Sequence, residues 1–187
     1  MTPKMHPDNQ PEFFPTYNDL NRKEGDFDSE YADSIMIRGI VADKNCVPIS
    51  DVSINIWQED EYGTVRYVPD DYFPYKGHNM NYKMHRDIQG LGRTYSTNEG
   101  RFKFITVPPG GMLIKNHKQK YINISISHPD LPGFEGKLIL NEGDIPISFK
   151  KSKFILAQIN EDASTCHGMD VFDFDIVLDH VNKYRRH

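Results

Sequence analysis

Hydrophobic and polar side chains alternate with a period of two along much of the chain, most regularly over residues 118–127. The isoleucines of this segment fall on one side, whereas Tyr121 and Asn123 fall on the other. Such alternation is typical of a strand that buries one face and keeps the other polar. We therefore predict a strand here whose polar face directs a phenol and a carboxamide toward one place.

The same pattern predicts several further short strands. They cover residues 35–42, 52–57, 101–107, 137–140 and 172–178. Turn residues separate them at 43–45, and a loop is predicted at 129–133. A helix is favoured only around 149–160. The long segment 59–91 exceeds an ordinary connection and is typical of a loop that is either functional or disordered. Short strands with turn signals and almost no helical period indicate an all-β fold, an antiparallel β-sandwich with long loops.

The 187 residues suit one domain with a sizeable core. Residues 1–34 hold four prolines among polar residues and show little periodicity, so we predict an extended N-terminal arm. The sandwich then spans 35–180, and 181–187 form a basic C-terminal tail. The aromatic side chains through which the arm would dock are Phe13, Phe14 and Tyr17.

Composition excludes several classes of function. The net charge is −5 and the lysines and arginines are scattered, which argues against a nucleic-acid partner. No segment approaches the ~20 apolar residues of a membrane helix. Cys46 and Cys166 lack metal-ligand spacing and suit a reduced, cytoplasmic protein. The first ten residues contain no apolar stretch of the signal-peptide kind, which agrees with a cytoplasmic location.

Four stretches follow one another between residues 35 and 178. They read RGIVAD with VPI at 38–49, INIWQED at 54–60, GLGRT at 90–94 running into TVPPG at 106–110, and FDFDIVL at 172–178. In this order they resemble the intradiol ring-cleavage dioxygenases, and specifically the protocatechuate 3,4-dioxygenase type. The fold of that family is a β-sandwich, which agrees with the fold predicted from the alternation.

The resemblance implies a ferric site made by two tyrosines and two histidines, because hard phenolate oxygens suit Fe(III). Tyr67 matches the first tyrosine position, but the other three positions hold Met112, Tyr121 and Asn123. Lys118 stands where the family has an arginine beside the iron. A thioether is soft and a carboxamide is neutral, so we expect no metal held in the family's manner. These five residues form the predicted vestigial pocket, with no catalytic residue in this chain alone.

The leading hypothesis is a non-iron, α-like subunit. The residues INIS at 122–125 and the apolar Met112 resemble the family's iron-free α chain. Fe(III) would then belong to a β-type homologous subunit, and this chain would need no cofactor. The resemblance implies that the assembled enzyme opens the ring of a catechol-type aromatic acid, 3,4-dihydroxybenzoate, with both atoms of O₂.

Two alternatives stay open. The first is a stand-alone pseudoenzyme, a monomer or homo-oligomer that acts as a binding or interaction module. The second is a divergent iron-dependent dioxygenase whose ligands are Tyr67, Tyr121 and His117.

Three further polar residues have structural explanations. Arg93 is predicted to be a structural hydrogen-bond donor. Asp173 and Asp175 share a strand face, which we interpret as a solvated face.

Overall fold

The computed structural model describes residues 14, 16–20, 34–58, 90–109, 111–114, 117–141 and 155–178. It gives the backbone alone for 111–114, 117–119, 141, 155–156 and 165–166. The described part holds ten strands and one helix. They are β1 (Ile35–Ala42), β2 (Ser53–Trp57), β3 (Leu91–Tyr95), β4 (Arg101–Thr106), β5 (Gly111–Ile114), β6 (His117–His128), β7 (Leu131–Asn141), β8 (Ile155–Ile159), α1 (Glu161–His167), β9 (Asp170–Asp173) and β10 (Ile176–Val177).

The strands form one hydrogen-bonded sheet in the order β4-β1-β9-β8-β7-β6-β2-β3. β10 lies beside the end of β1, and β5 pairs with the start of β6. Ile37 and Phe104 from one half of this order share a single buried cluster with Ile56 and Ile124 from the other half. The sheet therefore folds over and packs its two halves face to face, as the predicted β-sandwich requires.

The prediction of a purely antiparallel sandwich misses three parallel pairings. β1 runs parallel to β9 and to β10, and β7 runs parallel to β8. β1 and β9 come from opposite ends of the chain. Alternation identifies each strand but carries no information about which remote strand becomes its neighbour, or in which direction.

The predicted helix around 149–160 is wrong for its described part, because β8 occupies 155–159. The helix α1 begins only after Asn160, whose side-chain oxygen accepts the backbone N–H of Ala163. Gly168 ends the helix in the left-handed conformation. Both caps are typical of short helices, and they restrict α1 to seven residues. No helix in this described portion is long enough to cross a lipid bilayer.

The predicted loop at 129–133 is shorter than expected, since β7 already begins at Leu131. Only Pro129 and Asp130 form the turn, and the Asp130 N–H donates to the ring nitrogen Nδ1 of His128. The ladder between β6 and β7 is irregular near His128. Such irregularities accommodate proline and glycine within a strand. This explains why Pro132 and Gly133 lie inside β7 and do not end it.

The predicted strand at 172–178 is split between β9 and β10. The four apolar side chains that the alternation places on one face are buried, whereas Val177 on the other face is 65% exposed. The break occurs at Phe174, beside β1: its N–H donates to the carbonyl of Arg38, and its own carbonyl lies close to Gly39. A Cβ at Gly39 would lie 1.8 Å from that carbonyl oxygen. Glycine at 39 therefore allows this close approach.

Residues 14 and 16–20 are the described part of the N-terminal arm, and they pack against the sheet. Phe14 is buried and packs edge-on against Trp57, with 5.6 Å between the ring centroids. Tyr17 is 38% exposed, so it is less buried than Phe14. Leu20 is fully buried, as an anchor that the sequence pattern did not indicate. Phe13, most of 1–34 and the tail 181–187 lie outside the described residues.

The arm joins the two strands at the ends of the sheet order. Ile105 of β4 donates its N–H to the Asn18 carbonyl and accepts the N–H of Leu20. On β3, Gly92 lies beneath the Tyr17 carbonyl, where a Cβ would come within 2.4 Å of the oxygen. The arm thus closes the seam between β3 and β4.

Candidate functional site

Strand β6 lies between β2 and β7, and its register brings side chains of all three strands onto the sheet face opposite the isoleucine core. Asn123 pairs with Trp57 of β2 and with Lys137 of β7, and Ser125 pairs with Asn55. Directly paired residues project to the same side of a sheet. We name this surface the β6 polar face. Its members include Asn55, Trp57, Tyr121, Asn123, Ser125, Glu135, Lys137 and Ile139.

Lys137 brings a positive charge into the β6 polar face. Its side chain is only 7% exposed, and its Nζ lies 4.4 Å from the centroid of the Tyr121 ring. Removing an ammonium from water is costly, and the negative face of an aromatic ring offsets part of that cost. Sequence analysis missed Lys137, because only the β6–β7 register places it beside Asn123.

Asn123 is buried with one unused hydrogen-bonding atom. The side chain is 4% exposed, and its Oδ1 has no hydrogen-bond partner among the described residues. Buried acceptors are nearly always satisfied, so an exception calls for an explanation. The β6 polar face therefore combines an ammonium and a carboxamide oxygen next to one phenol ring.

A hydrogen-bonded chain organises the other end of the β6 polar face. Arg93 of β3 donates from Nε to Oδ1 of Asn55 at 2.7 Å, and Nδ2 of Asn55 donates to Oγ of Ser125 at 2.9 Å. The Arg93 guanidinium also lies 5.8 Å from the Phe14 ring centroid. The prediction that Arg93 is a structural donor is confirmed. Together with the packing of Phe14 on Trp57, these contacts place the arm over this end of the face.

The predicted pocket residues are only partly brought together in the described structure. Tyr121 and Asn123 lie on one face, as predicted, whereas Tyr67 lies outside the described residues. The hairpin of β5 and β6 pairs Met112 with Gln119, Leu113 with Lys118, and Ile114 with His117, along the backbone.

The residues that the structure describes do not fit a ferric ion. Fe(III) prefers anionic oxygen and imidazole donors, but Asn123 offers a neutral oxygen and the Lys137 amino group lies beside Tyr121. No group of three or more His, Cys, Asp or Glu side chains converges within the described ranges. The family's metal therefore has no suitable donor set on the described part of this face.

Asp173 and Asp175 lie on a partly solvated face, as the sequence suggested, and both also have structural partners. Asp173 accepts hydrogen bonds from Arg38 Nε at 2.8 Å and from Asn160 Nδ2 at 2.6 Å. Asp175 accepts the N–H of Ile40 at 2.9 Å. Burial acts to raise the pKa of Asp173, but the hydrogen bonds from Arg38 and Asn160 and the charge of Arg38 outweigh it. The pKa of Asp173 therefore lies below its ordinary value.

Comparison with known proteins adds independent information on ancestry. A family model described as "Dioxygenase" matches residues 7–134. The Rickettsia typhi protein "Putative dioxygenase RT0384" is 33% identical over 133 residues, which cover 71% of this chain and 62% of that protein. A Rickettsia bellii protein named "Putative dioxygenase" is 30% identical over 149 residues, covering 78% of this chain and 68% of the relative. The chain thus spans less than two thirds of the Rickettsia typhi protein.

Solved structures show the same fold at low sequence identity. The dioxygenase domain of a carbohydrate-binding fusion protein from Streptomyces sp. SirexAA-E matches with a TM-score of 0.64 at 19% identity, covering 96% of this chain and 99% of that domain. The 3-chlorocatechol 1,2-dioxygenase of Rhodococcus opacus 1CP matches with a TM-score of 0.64 at 14% identity, covering 95% of this chain and 71% of that enzyme's chain. The family match, the relatives and the sandwich fold agree with the sequence motifs. The chain belongs to the intradiol ring-cleaving dioxygenase family.

Proposed function

We propose that this chain is a non-iron, α-like subunit of a protocatechuate 3,4-dioxygenase-type enzyme. The observation that carries the proposal is the buried Lys137 ammonium over the Tyr121 ring, beside the Asn123 carboxamide. By the sequence resemblance, Tyr121 and Asn123 occupy the two histidine positions of the family. An ammonium and a neutral amide at this place belong to a chain that does not bind the ion itself.

Electrostatics supports a site without metal. Two unit charges of the same sign 4 Å apart repel by about 4 kcal/mol at an effective dielectric constant of 20, and a trivalent ion multiplies this repulsion. A phenolate at Tyr121 would have to hold such an ion near the Lys137 ammonium. Catalysis would therefore reside in an iron-bearing, β-type homologue, which would bind the catechol-type aromatic acid and O₂. This chain would supply structural surface to the assembly.

A second candidate is a stand-alone pseudoenzyme that binds a small molecule without metal. The unpartnered Oδ1 of Asn123 favours it, because a ligand hydroxyl or amine could satisfy that acceptor. A divergent iron enzyme has less support. Its ligands Tyr121 and His117 are four residues apart on β6, about 13 Å along the strand, and the third ligand, Tyr67, lies outside the described residues.

Co-purification from the native cell tests the proposal. An affinity-tagged copy of this chain should recover a homologue with an intact set of two tyrosines and two histidines, in fixed stoichiometry. The complex should contain iron and cleave 3,4-dihydroxybenzoate. Recovery of this chain as a monomer or homo-oligomer only, with no iron-bearing homologue, would contradict the proposal and favour the stand-alone module.

A further inference from the structure

A cleft of about 670 Å³ opens on the outer face of β1 and β4, in the other layer of the sandwich from the β6 polar face. It extends to the end of β3 and to the residues that follow β9. We name it the basic cleft. The lining residues that matter here are Arg38, Ile40, Tyr95, Arg101, Lys103 and Asp175.

The register of β1 and β4 concentrates positive charge in the basic cleft. Lys103 pairs with Arg38, and Arg101 pairs with Ile40. All four side chains project outward, because the alternate positions of β1 and β4, such as Ile37 and Phe104, face the core. Three cationic side chains thus lie within two successive rows of one sheet surface.

Internal carboxylates offset only part of this charge. Asp173 forms an ion pair with Arg38 at 2.8 Å. Asp175 is held by the backbone N–H of Ile40. The side chains of Arg101 and Lys103 are exposed and have no partner among the described residues. Like charges directly opposite each other in an antiparallel pair destabilise a sheet. The repulsion between Lys103 and Arg38 therefore lowers the stability of the fold, and a bound anion would reduce that repulsion.

The walls of the basic cleft include exposed apolar surface. Tyr95 is 46% exposed and Ile40 is 36% exposed, although both are large side chains. Aromatic and aliphatic surface beside a few placed charges is typical of sites for small organic ligands. A guanidinium next to an ammonium suits a carboxylate, which Arg can bind through two parallel hydrogen bonds.

We propose that the basic cleft binds a small organic carboxylate with an apolar body. Arg101 and Lys103 hold the carboxylate, and Tyr95 and Ile40 contact the body. This site is separate from the β6 polar face and does not depend on whether the chain is an α-like subunit.

Benzoate and its neutral analogue benzamide provide a matched test on the intact chain. Titration followed by ¹⁵N-resolved NMR should show saturable shifts of the Arg101, Lys103 and Tyr95 amides with benzoate, and at least tenfold weaker binding of benzamide. The double variant R101Q/K103Q should weaken benzoate binding at least tenfold. The control K44Q removes a lysine from the turn after β1, outside the cleft lining, and should leave binding unchanged.

Further measurements separate binding from folding and from general attraction of anions. K103Q alone should keep or slightly raise the melting temperature, because it relieves the repulsion with Arg38. Y95A should weaken benzoate binding but leave the weaker binding of inorganic phosphate unchanged. The proposal is overturned if benzoate shows no saturable binding or if benzamide binds equally well. It is also overturned if K44Q loses as much benzoate affinity as R101Q/K103Q, or if R101Q/K103Q leaves benzoate binding intact.

Discussion

Lys137 and Tyr121 form a charged contact in a place that water barely reaches. Lys137 as a residue is 7% exposed, and its Nζ lies 4.4 Å from the centroid of the Tyr121 ring. A desolvated cation over a ring gains up to about 2 kcal/mol, well above the value at an exposed site. The contact therefore contributes to the stability of β6 and β7 as well as to the electrostatics of the face.

A double-mutant cycle should detect this contact. We expect K137M and Y121L to show a coupling energy of about 0.5–2 kcal/mol, because each removes one half of the cation–ring pair. Urea unfolding of the two single variants and the double variant measures it. Additivity within about 0.3 kcal/mol would show that the charge and the ring do not interact.

The two buried asparagines of the β6 polar face provide a second residue-level test. N55L should cost about 1–3 kcal/mol, because it leaves Arg93 and Ser125 without their hydrogen-bond partner. N123L, the matched control on the neighbouring strand, should cost less, since Oδ1 of Asn123 has no hydrogen-bond partner within the described ranges. Thermal or urea unfolding compares the two variants. A larger loss in N123L would contradict this account of the polar face.

The sequence alone predicted some of the residues of the β6 polar face but not all of them. The period-two alternation correctly placed Tyr121 and Asn123 on one side of β6. Lys137 escaped prediction because its position depends on the pairing of β6 with β7, which single-strand periodicity does not specify. Asn123 was visible as a residue type, but its unpartnered oxygen could be seen only in three dimensions.

Among the structural elements, the arm has a specific role in closing the sheet. It contacts β3 through Gly92 and hydrogen-bonds to β4 through Ile105, so the two terminal strands are joined by a third segment. It also carries Phe14 onto Trp57. Docking of the arm thus affects both the sandwich seam and the covering of the β6 polar face.

Substitution of Gly92 should displace the arm. In G92A the added Cβ would lie 2.4 Å from the Tyr17 carbonyl oxygen, and relief requires movement of backbone. We expect a loss of about 1–3 kcal/mol. Trp57 is the only tryptophan of the chain, so loss of the Phe14 contact should shift its emission to longer wavelength. F14A should give a similar shift, and unchanged emission in G92A would show that the arm does not depend on this close approach.

Asp173 joins three elements, since it accepts from Arg38 of β1 and from the α1 cap residue Asn160 while lying on β9. Because its pKa is lowered in the folded state, the unfolded state binds more protons near and below the ordinary value of 3.8. The stabilisation is present above that value and is lost as the pH falls through the lower folded pKa.

The variant D173N should isolate this pH dependence. At neutral pH it should cost up to about 1 kcal/mol, because the ion pair is partly exposed. The free energy of unfolding of the wild type should fall more steeply than that of D173N as the pH drops below about 4. Urea unfolding between pH 2.5 and 7 measures both curves. Parallel curves would contradict a lowered pKa at Asp173.

At the scale of the whole molecule, the sequence predicted the type of fold better than its connections. Alternation correctly indicated an all-β sandwich with a buried isoleucine face on β6. It missed the parallel pairings, and it assigned the residues of β8 to a helix, whereas the helix α1 begins only after Asn160. Strand identity is a local property, whereas neighbour order and direction depend on contacts between remote segments.

The central claim is that this member of the intradiol dioxygenase family does not hold ferric iron by itself. The most direct measurement loads the purified chain with Fe(III), removes unbound metal, and determines iron content together with visible absorbance. We predict iron far below one per chain and no tyrosinate-to-iron absorption band. One tightly bound iron per chain with such a band, in the absence of any partner, would contradict the account.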